Sequence, residues 1–298
     1  MYKFVITVML ASCAIAAAHA QHWGLQQPGA HLGDMGVVTY QSRDWAQCSG
    51  GEQIAPQRAI SACGRIIGER MSRDLTAAAY FYRSELYRQE GDAQRADADV
   101  ARSIELLAEL IRAEPDDPNH ANDLAYLRLA TRDYVNGAAD FARLAAMRPQ
   151  AVEPRLRQGE FLFRARDFLA AAAAFDAAAQ LYPANAQAQS GRCEARAAAN
   201  TEIELARQAC EEALRLSDQS AAALFSRGYL NFTQGHIEEA FADFGAAGQK
   251  DNTHPYSAYG YAVAGIRLGH EEQGRALLAQ GTAAVPDVEI YAGAGLRP

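Results

Sequence analysis

The sequence predicts an all-α solenoid of antiparallel helix hairpins, and its main support is a fixed repeat length. Phe141 recurs as Phe175 and Gly235 recurs as Gly269, in each case after 34 residues. A constant period of this length is typical of a chain that stacks copies of one supersecondary unit. Apolar residues also recur at helical spacing within the period, and proline lies where a helix would end. We therefore expect an array of similar hairpins.

The stretch from residue 152 to residue 185 shows what one unit contains. Gly159 lies in a predicted first helix, and Arg166 and Asp167 form a short turn. Phe175 lies in the second helix, which Pro183 ends because proline has no amide proton to donate. A small residue at Gly159 lets the second helix approach closely, and the Phe175 ring fills the space beside it.

These residues resemble the tetratricopeptide repeat, which has small residues at positions 8 and 20, an aromatic residue at position 24, alanine at 27 and proline at 32. In this unit those positions hold Gly159, Ala171, Phe175, Ala178 and Pro183. The resemblance implies a right-handed superhelical solenoid of about six repeats, following an N-terminal half-repeat. The repeats fall near residues 77–110, 118–151, 152–185, 187–220, 221–254 and 255–288.

Several elements depart from the plain repeat. Pro56 begins a half-repeat with only a second-helix pattern, and Ser72 is a good N-cap for the helix that follows. Extra residues near 107–117 keep an apolar face and predict a longer helix. The repeat at 187 has a turn one residue longer, at 200–202. Residues 288–291 predict a short capping helix, because the end of a solenoid has an uncovered apolar face.

The N-terminus predicts export from the cytoplasm. Residues 1–20 combine Lys3, an apolar run and a small-x-small cleavage site ending at Ala20, which is the pattern of a signal peptide. Cleavage there would leave the protein in the periplasm or secreted. An alternative is lipoprotein processing at Cys13, within Leu-Ala-Ser-Cys. Residues 21–55 lack helical periodicity and predict a mobile leader, ahead of a solenoid from 56 to 298.

Four cysteines would remain in the mature chain, and an even number after an export signal suggests disulfides. Cys193 and Cys210 lie at positions 8 and 24 of one hairpin, at the same height from its turn, and Cys63 and Cys48 are placed similarly in the half-repeat. We therefore predict the pairs Cys48–Cys63 and Cys193–Cys210; buried free thiols are the alternative. With the export signal, this placement resembles a group of exported bacterial tetratricopeptide proteins of unassigned function.

The sequence gives no support for catalysis, a cofactor or a metal site. His270-Glu271 lacks the second histidine of a His-Glu-x-x-His motif, and no glycine-rich phosphate-binding loop follows a strand pattern. The formal net charge of −8 argues against nucleic-acid binding, which depends on clustered lysine and arginine. Beyond the signal peptide, no apolar run is long enough to predict an integral membrane span.

A protein or peptide partner is the remaining prediction. The resemblance implies that positions 2, 5, 9, 12 and 13 of the first helices line a concave groove, which would be aromatic here. The candidate partner-binding residues are Phe81, Tyr126, Phe163, Phe225, Tyr229, Phe232 and Tyr259. The function expected is that of an exported scaffold or adaptor. A lipid-anchored envelope assembly factor and a glycan-binding or enzyme-associated module are alternatives. Whether the groove is open, and the oligomeric state, remain undecided by the sequence.

Overall fold

A computed structural model describes residues 43–49, 54–69, 72–254, 256–280 and 288–298, and all regular secondary structure in these ranges is helical. The predicted signal peptide, the alternative lipid-attachment site at Cys13 and most of the predicted leader lie outside the described residues. The described chain divides into two compact units, residues 43–132 and residues 133–298. We call them the first unit and the second unit.

Both units consist of helices that pack against their neighbours along the chain, which confirms the all-α prediction. The described helices of the first unit are α1 (Arg43–Cys48), α2 (Pro56–Gly68), α3 (Arg73–Gln89), α4 (Ala93–Ala113) and α5 (Pro118–Ala130). Those of the second unit are α6 (Tyr134–Met147), α7 (Glu153–Arg164), α8 (Phe168–Leu181), α9 (Ala186–Ala199), α10 (Ile203–Leu216), α11 (Ala221–Thr233), α12 (Ile237–Lys250), α13 (Ser257–Arg267), α14 (Glu271–Gln280) and α15 (Val288–Gly293).

In the first unit, local capping and one buried ion pair define the main hairpin. The Ser72 hydroxyl accepts a hydrogen bond from the backbone amide of Leu75, as expected of an N-cap. The guanidinium of Arg83 on α3 donates two hydrogen bonds, of 2.7 and 2.8 Å, to the buried carboxylate of Asp99 on α4. The continuation of α4 to Ala113 accounts for the extra residues in this part of the sequence.

The hairpins of the second unit close around buried phenylalanine rings. Phe175 on α8 is fully buried between two glycines, one in its own hairpin and one in the next. A Cβ added to Gly159 would lie 2.8 Å from this ring, and one added to Gly191 would lie 2.5 Å from it. Since real Cβ atoms do not approach carbon this closely, only glycine lets the helices meet here.

The same arrangement occurs two repeats later, beyond the repeat that contains Cys193 and Cys210. Phe244 on α12 is fully buried, and a Cβ on Gly228 or Gly260 would lie 2.9 or 2.8 Å from its ring. The aromatic position therefore joins each of these hairpins to the following one, rather than packing only within its own repeat.

The turn inside each hairpin requires one left-handed residue. Arg166, Gly235 and Gly269 hold this position, with φ of 63°, 83° and 90°. The turn after α9 is longer and contains two such residues, Asn200 and Glu202, with φ of 49° and 47°. This extra left-handed residue matches the additional residue that the sequence shows in this repeat.

Cysteines replace the glycine–phenylalanine contact in two places. The structure brings Cys193 on α9 and Cys210 on α10 to disulfide distance, with 5.3 Å between their Cα atoms. Cys48 and Cys63 are likewise at disulfide distance and join α1 to α2. Helix α1 lies within the stretch predicted as a leader, and the Cys48–Cys63 pair and the Asp44–Arg65 ion pair both connect it to α2.

The helices of the second unit form an inner and an outer layer. The first helices α7, α9, α11 and α13 contact one another in succession, while the second helices α8, α10, α12 and α14 pack against their outer side. We call the surface formed by the four first helices the inner groove. None of the described helices combines the length and the apolar composition that crossing a bilayer requires.

Replacing Phe175 with alanine should lower the free energy of unfolding by about 3–5 kcal/mol, because the two flanking glycines cannot fill the cavity. Leu169→Ala on the same helix is the matched control, since Leu169 is 66% exposed and should change stability by less than about 0.5 kcal/mol. Urea unfolding of the oxidised protein measures both. Equal effects of the two substitutions would contradict the proposed packing role of Phe175.

Removing the second disulfide should destabilise the protein. A Cys193→Ala/Cys210→Ala variant should lose about 3 kcal/mol, as expected for a cross-link spanning 17 residues. Reductant should lower the melting temperature of the wild type. It should have no effect on a variant that lacks all four cysteines. A wild-type melting temperature unchanged by complete reduction would contradict a stabilising role for either pair.

Candidate functional site

Five of the seven aromatic residues predicted to bind a partner lie on the first helices that form the inner groove, and their rings are buried. Phe163, Phe225, Tyr229, Phe232 and Tyr259 in the second unit are each at most 8% exposed.

Two further candidates lie in the first unit. Phe81 is 8% exposed. Tyr126 lies on α5, and its side chain is outside the described part of the chain. The structure therefore brings five of the seven candidates together on one surface, and their role in binding a partner remains a prediction.

Residues 288–298 cover the inner groove, and we call them the C-terminal segment. It consists of the short helix α15 followed by five residues without regular secondary structure beyond a turn. Ile290, Tyr291 and Leu296 are its buried side chains, with exposures of 4%, 2% and 0%. The sequence predicts a short helix here as an end cap. The helix is present, but it lies on the first helices of several repeats.

Tyr291 is the main anchor of the segment. Its ring lies among four aromatic rings from three first-helix regions, with centroid distances of 5.4 Å to Phe163, 5.2 Å to Phe225, 5.2 Å to Tyr229 and 4.9 Å to Tyr256. The contacts with Phe225 and Tyr229 are edge-to-face, a geometry that aromatic pairs favour. The pocket therefore fits one flat aromatic side chain.

Two tyrosine hydroxyls hold the backbone of the segment. The hydroxyl of Tyr229 donates to the carbonyl oxygen of Ala294 at 3.1 Å, and that of Tyr259 donates to the carbonyl oxygen of Leu296 at 2.9 Å. Both acceptors belong to the stretch after α15, where the carbonyl groups lack helical partners. Hydrogen bonds to backbone carbonyls do not depend on which side chains the segment carries.

Arg166 contacts the segment at its other end. Its guanidinium donates to the carbonyl oxygen of Glu289 at 2.8 Å. The Cα of Gly293 also lies close to this guanidinium, since a Cβ added there would come within 2.6 Å of one of its nitrogens. The hairpin turn that precedes α8 thus takes part in the site as well as in the fold.

A buried carboxyl group lies at the base of the Tyr291 pocket. Glu194 on α9 is 1% exposed, and its two oxygens accept hydrogen bonds from Tyr291 at 2.7 Å and from Ser226 at 2.6 Å. Burial raises the pKa of Glu194 from 4.5 to about 7, although these two hydrogen bonds and the charge of Arg164 act to lower it. The same burial and the nearby Glu194 raise the pKa of Tyr291 well above its ordinary value.

A second buried carboxyl group, Glu160, lies on α7. Arg157 donates to it at 3.1 Å, and the side-chain amide of Gln187 donates to it at 2.6 Å. Burial raises the pKa of Glu160 to about 7, against the opposing charges of Arg157 and Arg164. The groove therefore combines aromatic rings with hydrogen-bonding groups held in fixed positions.

Glu194 and Tyr291 are absent from the sequence-based candidates. The repeat pattern could have identified Glu194. With Cys193 at position 8 of its repeat, Glu194 lies at position 9, which is one of the groove positions. Tyr291 had no such signal, since it lies beyond the helix hairpins.

One group in the described part of the first unit could supply three metal ligands. Ligand atoms of Glu114, Asp117 and His120 lie within 4.8 Å of one another. Two of these residues have structural roles, because Asp117 caps α5 through the amide of Asn119 and His120 lies 2.8 Å from Asp74. The pKa of His120 is raised, chiefly by its hydrogen bond to Asp74.

The raised pKa of Glu194 predicts a loss of stability as the pH rises. The folded protein holds this proton between about pH 4.5 and pH 7 while the unfolded chain releases it, so stability falls across that range. Glutamine is uncharged and of the same size; its oxygen accepts from one hydroxyl, and its amide nitrogen donates to the other. The free energy of unfolding of Glu194→Gln, measured relative to that of the wild type, should therefore increase by up to about 3 kcal/mol as the pH rises from 5 to 8.

Chemical denaturation at both pH values measures this difference. His254, whose pKa is lowered to about 4 by burial, acts in the opposite direction but equally in both proteins. Glu239→Gln on the exposed side of α12 is the control and should follow the wild type. Parallel pH profiles for wild type and Glu194→Gln would contradict the buried, protonated carboxyl.

Comparison with known proteins identifies the fold. No protein-family model matches the sequence, and no curated protein matches it. Among solved structures, the chain is similar to a tetratricopeptide repeat protein from Parabacteroides merdae, with a TM-score of 0.60 and 10% identity over 92% of this chain and 97% of that one. It is also similar to yeast Tom70, with a TM-score of 0.50 and 11% identity over 95% of this chain and 69% of that one. The chain therefore has the tetratricopeptide-repeat fold.

Proposed function

We propose that this protein is an exported scaffold whose inner groove binds a segment of another protein. The observation that carries the proposal is that the groove holds a peptide segment already, namely residues 288–298 of its own chain. Tyr291 fills an aromatic pocket, and Tyr229 and Tyr259 donate to backbone carbonyl groups of the segment. A surface with these features can accommodate a peptide.

The groove favours a short helical or partly extended peptide with an aromatic anchor. Rigid rings supply contact area at a low cost in side-chain entropy. Backbone-directed hydrogen bonds hold the chain, and a pocket for one side chain provides selectivity, as in helix-in-groove recognition. At the base of the pocket Glu194 accepts a hydrogen bond from a hydroxyl group, which favours tyrosine as the anchor.

Export of the protein is supported by the predicted signal peptide together with two cysteine pairs at disulfide distance. Disulfides persist in oxidising compartments such as the periplasm or the extracellular space. We place the mature protein there after cleavage at Ala20. The intact mass of the mature protein distinguishes this from lipid attachment at Cys13.

Site-specific photo-crosslinking in the envelope tests the proposal. Phe232, which shares a face of α11 with Phe225 and Tyr229 by helical spacing, is replaced by p-benzoylphenylalanine, a larger photoreactive derivative of phenylalanine. Leu169 and Val135 on second helices, which are 66% and 72% exposed, are replaced in the same way as outer controls. We expect a protein adduct from position 232, identified by mass spectrometry, and none from the outer positions.

Two outcomes would contradict the proposal. Adducts formed only from positions 135 and 169 would place binding on the outer helices. A chain that is folded, exported and free of adducts at all three positions would contradict a role as a binding scaffold.

A further inference from the structure

We propose that the C-terminal segment is a displaceable internal ligand of the inner groove, which a partner must replace with a segment of the same chemistry. That chemistry is a tyrosine preceded by an aliphatic residue, as in Ile290-Tyr291. The inference rests on the proposed function and adds to it the regulation of the site and the class of ligand.

The segment depends on the groove more than the groove depends on the segment. Helix α15 has six residues, and an isolated helix of this length is not stable in water. Its order must therefore come from the contacts of Ile290, Tyr291 and Leu296. The hairpins beneath it are joined independently by Phe244 between Gly228 and Gly260, and by the Cys193–Cys210 link.

The contacts that hold the segment can be reproduced by another chain. The hydrogen bonds that Tyr229, Tyr259 and Arg166 donate to the segment all end on backbone carbonyl oxygens. The hydroxyl of Tyr291 adds a side-chain hydrogen bond to Glu194 in the groove. A competing peptide with a tyrosine and an aliphatic neighbour can therefore make the same contacts.

Loss of the segment would create a typical interaction surface. Phe163, Phe225, Tyr229 and Tyr256 would lose the ring that lies among them, and Glu194 would lose one of its two hydroxyl donors. Contiguous apolar patches of this kind mark binding sites in soluble domains. While the segment is attached, its tether gives it a high effective concentration and keeps the surface covered.

The test uses the mature protein, a shortened form that ends at residue 287, and a fluorescein-labelled peptide with the sequence of residues 286–298. Fluorescence anisotropy measures peptide binding to each protein. We expect the peptide to bind the shortened protein at least about ten-fold more tightly than the full-length protein, because the tethered segment competes. A peptide carrying Tyr291→Ala should bind the shortened protein at least about ten-fold more weakly than the wild-type peptide.

Circular dichroism and thiol titration establish whether the shortened protein retains its helices and disulfides. A folded shortened protein that does not bind the peptide, or one that binds it no better than the full-length protein, would overturn the inference. Such a result would leave the crosslinking test of the proposed function untouched. Conversely, peptide binding without any protein adduct in the envelope would contradict the scaffold role and not the internal ligand.

Hydrogen exchange of the full-length wild type tests the inference even if shortening unfolds the chain. The amides of Ala294 and Leu296 donate to carbonyl groups within the segment, so they report its opening. We expect them to exchange at least about 100-fold faster than the buried amides of α11, because the segment opens without the hairpins. Equal exchange rates would show that the segment leaves only on global unfolding, and would overturn the inference.

Discussion

In the second unit, the contact between a phenylalanine on a second helix and glycines on the two adjoining first helices sets the spacing of the helices. Phe175 lies between Gly159 and Gly191, and no residue larger than glycine fits at either site without displacing the ring. Because the ring bridges two hairpins, it sets the distance between successive first helices as well as within one hairpin. Where the phenylalanine is missing, the Cys193–Cys210 pair holds the equivalent helices together.

The inner groove follows from this packing. First helices that lie side by side present the same repeat positions in a row, so their aromatic residues form one continuous surface. Burying such a surface is favourable, and the C-terminal segment does so with the side chains of Ile290, Tyr291 and Leu296. Glu194 shows how specific the pocket is, since a carboxyl group in an apolar site is costly unless hydroxyl donors such as Tyr291 and Ser226 satisfy it. The chemistry of the groove therefore matches a hydroxyl-bearing aromatic residue.

Much of the fold could be predicted from the sequence because its decisive contacts are local. Gly159 and Phe175 are close in the chain, as are Cys193 and Cys210, and a regular hairpin brings such residues together. The covering of the groove is a different kind of contact. Tyr291 and Glu194 are 97 residues apart, and no repeat position relates them. Periodicity predicts which residues face the groove, but it contains no information about a segment outside the period that lies across several repeats.

The central claim is that Tyr291 occupies the aromatic pocket of its own chain in the mature, oxidised protein. Nuclear Overhauser contacts test it directly, in a sample with protonated tyrosine and phenylalanine rings in a deuterated background. We predict cross-peaks between the ring of Tyr291 and the rings of Phe225 and Tyr229, whose centroids lie 5.2 Å away. A Tyr291 ring with random-coil chemical shifts and no cross-peaks to these residues would contradict the account.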